Sequence, residues 1–266
     1  MIEYAPQNPY AIPLAHPYIA AAGSLGFGIH SATMVAAVAP ALLITPTITA
    51  AGRSPDGPNR LYEHRSGMIY GEPWHDPGLD WVGRRCTGIW ATWDIPVIVS
   101  LTLDDADVLQ CVRELNQVEG VAGFELNIPD IHTAYAPLLQ KIRPRCDIPM
   151  TVKIPYADPQ SLVALVQQCV AAGVDGITVA APLPVATGRL LSPTFAAVTL
   201  HLLEHITAAT TLPISACGGI HDAATAKACL NAGAQTVQLG SWLLYDPACI
   251  QRLVRPALRN EPVHCP

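Results

Sequence analysis

Short apolar runs rich in β-branched residues alternate along the chain with stretches of helical period. The runs are Tyr18–Ala22, Leu42–Thr47, Pro96–Leu101, Val121–Ile128, Ile148–Ile154, Gly176–Ala180, Leu212–Cys217 and Thr236–Gly240, which predicts eight strands. Several lack polar alternation, as in Ile95-Pro96-Val97-Ile98-Val99, the pattern of a strand covered on both faces. Between them, Asp104–Val118 sets Val108, Leu109, Val112 and Leu115 on one helical face. Pro159–Ala172 stops at Gly173, and Asp222–Ala232 starts on a capping aspartate and stops at Gly233. Strand and helix in unbroken alternation build a parallel sheet. Eight such units in 266 residues fit an α/β fold of the (β/α)8 TIM-barrel type, one domain over residues 1–266, better than an open doubly wound sheet. Residues 1–17 read as an N-terminal extension and 254–266 as a C-terminal tail.

Three stretches read as long loops: Thr49–Pro77, Pro129–Ala134 and Ala181–Pro193. All three leave C-terminal strand ends, the rim where barrels carry their active sites.

Composition narrows the function. Charged residues are 14% and apolar residues 50%, too apolar for disorder. The formal charge is −6, and only Lys141, Lys153 and Lys227 are lysines, which disfavours nucleic acid as a partner. No apolar run approaches the roughly 18 residues of a membrane span. The opening Met1-Ile2-Glu3-Tyr4 lacks the basic start of a signal peptide. The 8 cysteines stand singly with no C-x-x-C, unlike a zinc site or a disulfide scaffold. The expectation is a reduced, cytoplasmic protein with no metal, no membrane and a small-molecule substrate. His201 and His205 are spaced i, i+4 but not as H-E-x-x-H, and read as a solvated helix face.

Candidate chemistry gathers at strand ends. Cys217-Gly218-Gly219-Ile220 ends the seventh run and Gly240-Ser241 the eighth, where barrels often bind phosphate through bare backbone N–H groups. Glycine there keeps a Cβ out of the phosphate's path, and a side chain at Gly219 would block it. Two tight turns closing their units would look the same. Lys153 sits in Thr151-Val152-Lys153-Ile154-Pro155, where an ammonium is costly unless paired or used. Ala20-Ala21-Ala22-Gly23, where the first run ends, leaves room for a flat ligand, or relieves a crowded rim. Asn127, ending Glu125-Leu126-Asn127, presents an amide to the barrel mouth or caps its own loop.

Together these motifs resemble the class 1 dihydroorotate dehydrogenases, over about Asn8 to Leu244. Asn8-Pro9 or His16-Pro17, followed by Ala21-Ala22-Gly23, is similar to that family's "NP…ASG". Thr45-Pro46-Thr47-Ile48-Thr49, Pro58-Asn59-Arg60, Gly67-Met68 and Asp76-Pro77-Gly78 resemble its second-strand region and "NPG". Glu125-Leu126-Asn127 resembles "ELN", Val152-Lys153-Ile154-Pro155 the flavin-contacting "VKL(P)", and Ala172-Gly173-Val174-Asp175-Gly176-Ile177 "AGADGI". Gly218-Gly219-Ile220 and Ala232 to Gly240 resemble the phosphate half.

The resemblance implies FMN and an oxidoreductase in which flavin N5 takes a hydride while a base takes the neighbouring proton. It implies phosphate on Gly218, Gly219, Gly240 and Ser241, the ring over Ala21, Ala22 and Gly23, Lys153 beside N1 and C2=O, and Asn127 and Ser100 around the ring. The family is often homodimeric, and this low-charge surface allows a homodimer. The orotate half differs. The second-strand lysine is Pro46, the asparagine after "Gm" is Tyr70, and the asparagine motif after the sixth run reads Ala180-Ala181. The base position falls on Asp130, with His132 as the second candidate base, itself standing at an asparagine position. Arg53, Arg60, His64 and Arg65 are candidates to receive an acidic substrate or to lie in solvent. The alternatives are a lyase or isomerase using Lys153 on a phosphorylated substrate, and an FMN binder without turnover.

Overall fold

The computed structural model describes residues 2–30, 32–53, 61–71, 76–179 and 183–258, with side chains described as far as Arg255. Eight parallel strands close into a barrel: β1 (Tyr18–Ala20), β2 (Leu43–Ile48), β3 (Val97–Thr102), β4 (Gly123–Asn127), β5 (Met150–Lys153), β6 (Gly176–Val179), β7 (Ile214–Cys217) and β8 (Thr236–Leu239). Neighbours in sequence are neighbours in the barrel, and β8 closes on β1. Each strand lies within the apolar run that predicted it, save that β2 and β3 each extend one residue further. This is the expected (β/α)8 architecture.

Two of the helices open on aspartate caps. Asp158 caps Pro159–Ala171 by accepting from the Ser161 N–H at 2.9 Å, and Asp222 caps Ala223–Asn231 by accepting from the Thr225 N–H at 2.6 Å. The helix expected from Asp104 opens only at Val108. Asp104 instead takes the Thr102 hydroxyl and Asp105 the Ala50 N–H, so both carboxylates are committed to loop contacts.

The barrel interior is divided. On the β1–β2–β3 side Ile19, Leu42, Ile44 and Ile98 form an apolar cluster, sealed from below by Tyr4, Ile12 and Leu14. These last come from Ile2–Tyr4 and Ile12–Leu14, which pair antiparallel within the N-terminal extension. On the β4–β8 side the interior is polar: Glu125, Thr151, Lys153, Thr178, Ser215, Thr236 and Gln238 are all buried. Tyr4 joins the halves through its hydroxyl, 2.8 Å from Thr151 Oγ1. Asp175 ties extension to barrel, accepting from Asn8 Nδ2 at 3.0 Å, Arg143 at 2.7 Å and the Met150 N–H at 2.8 Å. The large apolar core lies outside the barrel, between strands and helices.

Two of the stretches read as loops are partly sheet. Leu61–His64 and Gly67–Gly71, after β2, form a hairpin, as do Leu183–Val185 and Gly188–Leu191, after β6. The hairpins join edge to edge into a four-stranded antiparallel sheet, with Tyr70 opposite Arg189. Gly67 and Gly188 allow this: a Cβ on either would collide with the carbonyl of Leu191 or Tyr70 across the ladder. Residues 254–258, expected in the tail, continue the helix Cys249–Leu258. Among the described residues no helix is long and apolar enough to cross a membrane.

Candidate active site

The parallel strands bring Asn127, Lys153 and the turn after Cys217 to one rim. The chemistry begins inside it. Lys153, at the end of β5, is buried, and its Nζ donates to Glu125 Oε1 at 3.0 Å and Gln238 Oε1 at 2.9 Å. Gln238 Nε2 donates to Glu125 Oε2 at 2.7 Å and to Thr178 Oγ1 at 3.0 Å. The Thr178 hydroxyl in turn donates to Glu125 Oε2 at 3.0 Å. Burial works against the charge on Lys153, but the adjacent Glu125 carboxylate outweighs it, and the ammonium is held above its ordinary range. Lys153 is thus a fixed cation with two of its three N–H donors engaged. Cys217 stands near this group, and burial pushes its thiol up, so it remains protonated.

Beside the cation lies a second polar group. Asn127 Nδ2 donates to Ser100 Oγ at 2.8 Å, the Leu101 carbonyl at 3.0 Å and Thr47 Oγ1 at 3.3 Å. Thr47 and Ser100 hydroxyls are 2.9 Å apart. The amide N–H side is therefore spent on its own rim, and no donor among the described residues reaches Asn127 Oδ1.

The shelf after β1 is pinned across its neighbours. The Ala21 N–H donates to the Leu239 carbonyl at 3.0 Å and the Gly23 N–H to the Ile44 carbonyl at 3.2 Å. A Cβ on Gly240 would meet Ala21 Cβ at 3.5 Å, so the turn after β8 adjoins this shelf. The turns after β7 and β8 are themselves joined, His221 Nε2 lying 2.7 Å from Ser241 Oγ. Burial lowers the proton affinity of His221, which favours its neutral form. Among the described residues the backbone N–H groups of Gly219, Ile220 and His221 make no hydrogen bond, which leaves a row of bare donors.

The glycines do not act alike. A Cβ on Gly219 would collide with the Phe195–Ala196 backbone, at a φ of 74°, so this glycine is required for helix packing. The expectation that a Gly219 side chain would meet the phosphate is corrected accordingly. Gly240 has room for one. Gly240→Val is expected to weaken FMN binding at least about tenfold, roughly 1.4 kcal/mol, with little change in melting temperature. Gly219→Val should instead lower the melting temperature of the apoprotein. FMN titration and thermal melting of both variants check this.

The base candidates fare differently. Asp130 accepts from the His132 N–H at 2.7 Å, the Thr133 N–H at 2.8 Å, Thr133 Oγ1 at 3.0 Å and the Tyr135 hydroxyl at 2.9 Å. These bonds, the Thr133 N–H foremost, hold its carboxyl below the usual range. A carboxylate so engaged organises its loop and is a weak proton acceptor. His132 is exposed on the same loop. Arg53, His64 and Arg65 are exposed too, while Arg60, Pro58-Asn59 and Ala180-Ala181 lie outside the described residues. Tyr70 is half-buried in the sheet formed by the two hairpins.

Sequence reasoning missed Glu125 as part of this site, although it stands two residues before Asn127. Its signal was an acidic residue inside an apolar strand. A cavity of about 490 Å³, lined in part by His16, Pro40, Pro96 and Arg255, opens at the opposite rim and contains none of these groups. Among the described residues no cluster of three or more metal-ligating side chains occurs.

The donor set fits the FMN that the resemblance implies. Bare N–H groups suit a phosphate, a low shelf of Ala21, Ala22 and Gly23 suits a flat ring, and a fixed ammonium and a free amide oxygen suit the ring's polar edge.

Comparison with known proteins is consistent with this. Residues 165–258 match the family model of nitronate monooxygenase, a stretch that includes both glycine turns. The catalytic subunit of dihydroorotate dehydrogenase B (NAD(+)) from Anoxybacillus flavithermus is 25% identical, with 94% of this chain and 89% of that protein covered. The same subunit from Geotalea daltonii is 26% identical over 91% of this chain and 88% of its own length. That from Desulforudis audaxviator is 25% identical over 89% and 85%. Along nearly its whole length the chain is thus distantly similar to the catalytic subunits of dihydroorotate dehydrogenase B, and through its last strands to the nitronate monooxygenases.

Proposed function

We propose that this chain is an FMN-dependent oxidoreductase acting on a small molecule, with a substrate pocket that has diverged from that of the dihydroorotate dehydrogenases. The observation that carries this is the buried, ion-paired Lys153, held by Glu125 and Gln238 on the rim that also bears the bare glycine turns. FMN, when bound, supplies a two-electron acceptor for a hydride. The Gly218–Gly219 and Gly240–Ser241 turns bind its phosphate, and Ala21, Ala22 and Gly23 carry its ring. Asn127, fixed by Ser100 and Thr47, presents its amide oxygen. Lys153 supplies a fixed positive charge, which stabilises the anionic reduced ring.

Proton removal from substrate falls to His132 in this reading. Asp130 is the poorer candidate, because its carboxylate is already held by four donors. That engagement of Asp130 also favours a second reading, an FMN binder without turnover. A lyase or isomerase using Lys153 as nucleophile is disfavoured, because an ammonium kept charged by Glu125 has no free electron pair to attack with. An anaerobic screen of small organic donors against the FMN-loaded protein tests the proposal. Bleaching by a donor, abolished in His132→Ala, supports it. A flavin that no donor bleaches favours the binder.

A further inference from the structure

The Glu125–Lys153–Gln238–Thr178 group is closed on itself. Among the described residues Glu125 Oε1 takes Lys153 alone, while Oε2 takes both Gln238 Nε2 and the Thr178 hydroxyl. The orientation of the Gln238 amide follows, since its oxygen must face the ammonium and its nitrogen the carboxylate. The four side chains come from β4, β5, β6 and β8, so the barrel's closure itself assembles them. The other titratable groups facing this group are the Cys217 thiol on β7 and the Tyr4 phenol beneath, with Tyr156 near Cys217. Burial keeps all three protonated, so none can replace Glu125 as counter-charge.

Resting on the flavin reading above, we propose that Glu125 is a positioning residue that locks Lys153 as a permanent cation beside the flavin, so that flavin reduction draws no proton onto the protein there. With Glu125 in place the ammonium is charged before and after reduction. Two electrons then bring one proton, to flavin N5, and the negative charge left on the reduced ring is met by a lysine already protonated. Without the carboxylate, a buried lysine that keeps only amide partners among the described residues sheds its proton readily; buried lysines titrate as low as about 5–6. Reduction would restore a negative neighbour and draw a second proton from solvent onto Lys153.

The experiment is a potentiometric titration of the flavin-loaded protein and of Glu125→Gln, with dithionite as reductant and a reference dye, between about pH 7 and 9. The native potential is expected to fall with pH as one proton per two electrons requires. In Glu125→Gln it should fall about twice as steeply. The double variant Glu125→Gln/Lys153→Met, with no lysine to titrate, should return to the native slope. Equal slopes in the native protein and Glu125→Gln overturn it, as does a steep slope that persists in the double variant. A protein that takes up no flavin overturns the flavin reading itself, and this proposal with it.

Discussion

Mixed anaerobically with dihydroorotate, the FMN-loaded protein is expected to keep its flavin absorbance over seconds. Three positions carry the argument. By the resemblance, Tyr70 and His132 fall at asparagine positions of the dihydroorotate dehydrogenases, and Ala180 at another. Tyr70 projects from a strand of the sheet formed by the two hairpins, and His132 is exposed. A substrate donor or acceptor left unpaired costs about 1–3 kcal/mol. Three together come to roughly 3–9 kcal/mol, on the order of 10² to 10⁶ in kcat/KM at about 1.36 kcal/mol per decade. Pro46 in place of the family's second-strand lysine adds to this loss, as does an Asp130 carboxylate already engaged by four donors. Bleaching within seconds of mixing would show that this pocket accepts dihydroorotate after all.

Lys153→Met is expected to lower folding stability by about 3–5 kcal/mol, the usual cost of removing one partner from a buried ion pair. Glu125 would retain the Gln238 and Thr178 donors but lose the Lys153 ammonium. The loss therefore comes from a buried carboxylate without its counter-charge, and replacing both partners should recover most of it. Urea denaturation of Lys153→Met and of Glu125→Gln/Lys153→Met measures the difference. A single variant as stable as the native protein would mean that solvent reaches Glu125 and relieves its charge.

The barrel was legible because its strands are covered on both faces, which leaves uninterrupted apolar runs such as Val97-Ile98-Val99. The sheet formed by the two hairpins was not. Its central pairing, Tyr70 with Arg189, joins segments far apart in sequence, and each hairpin alone reads as part of a long loop. A local signal existed in the two-residue turn Arg65-Ser66 before Gly67. Lys153 was legible as an ammonium that had to be paired or used, but its partners come from β4 and β8, and periodicity says nothing about which strands face each other across a barrel. Gly219 and Gly240 look equivalent as sequence. Only the packed Phe195–Ala209 helix shows that one is needed by the fold and the other is free to serve a ligand. Asp130 was placed by resemblance as a base, and the Thr133 and Tyr135 that engage it lie three and five residues on, within an ordinary capping range.

If this rim holds FMN, the protein binds it in solution. The most direct measurement is the visible spectrum of the purified protein, taken before and after mixing with FMN and removing the excess. The two bands of an oxidised, protein-bound flavin are expected, diminished in Gly240→Val at unchanged melting temperature. A colourless protein that takes up no FMN would contradict it.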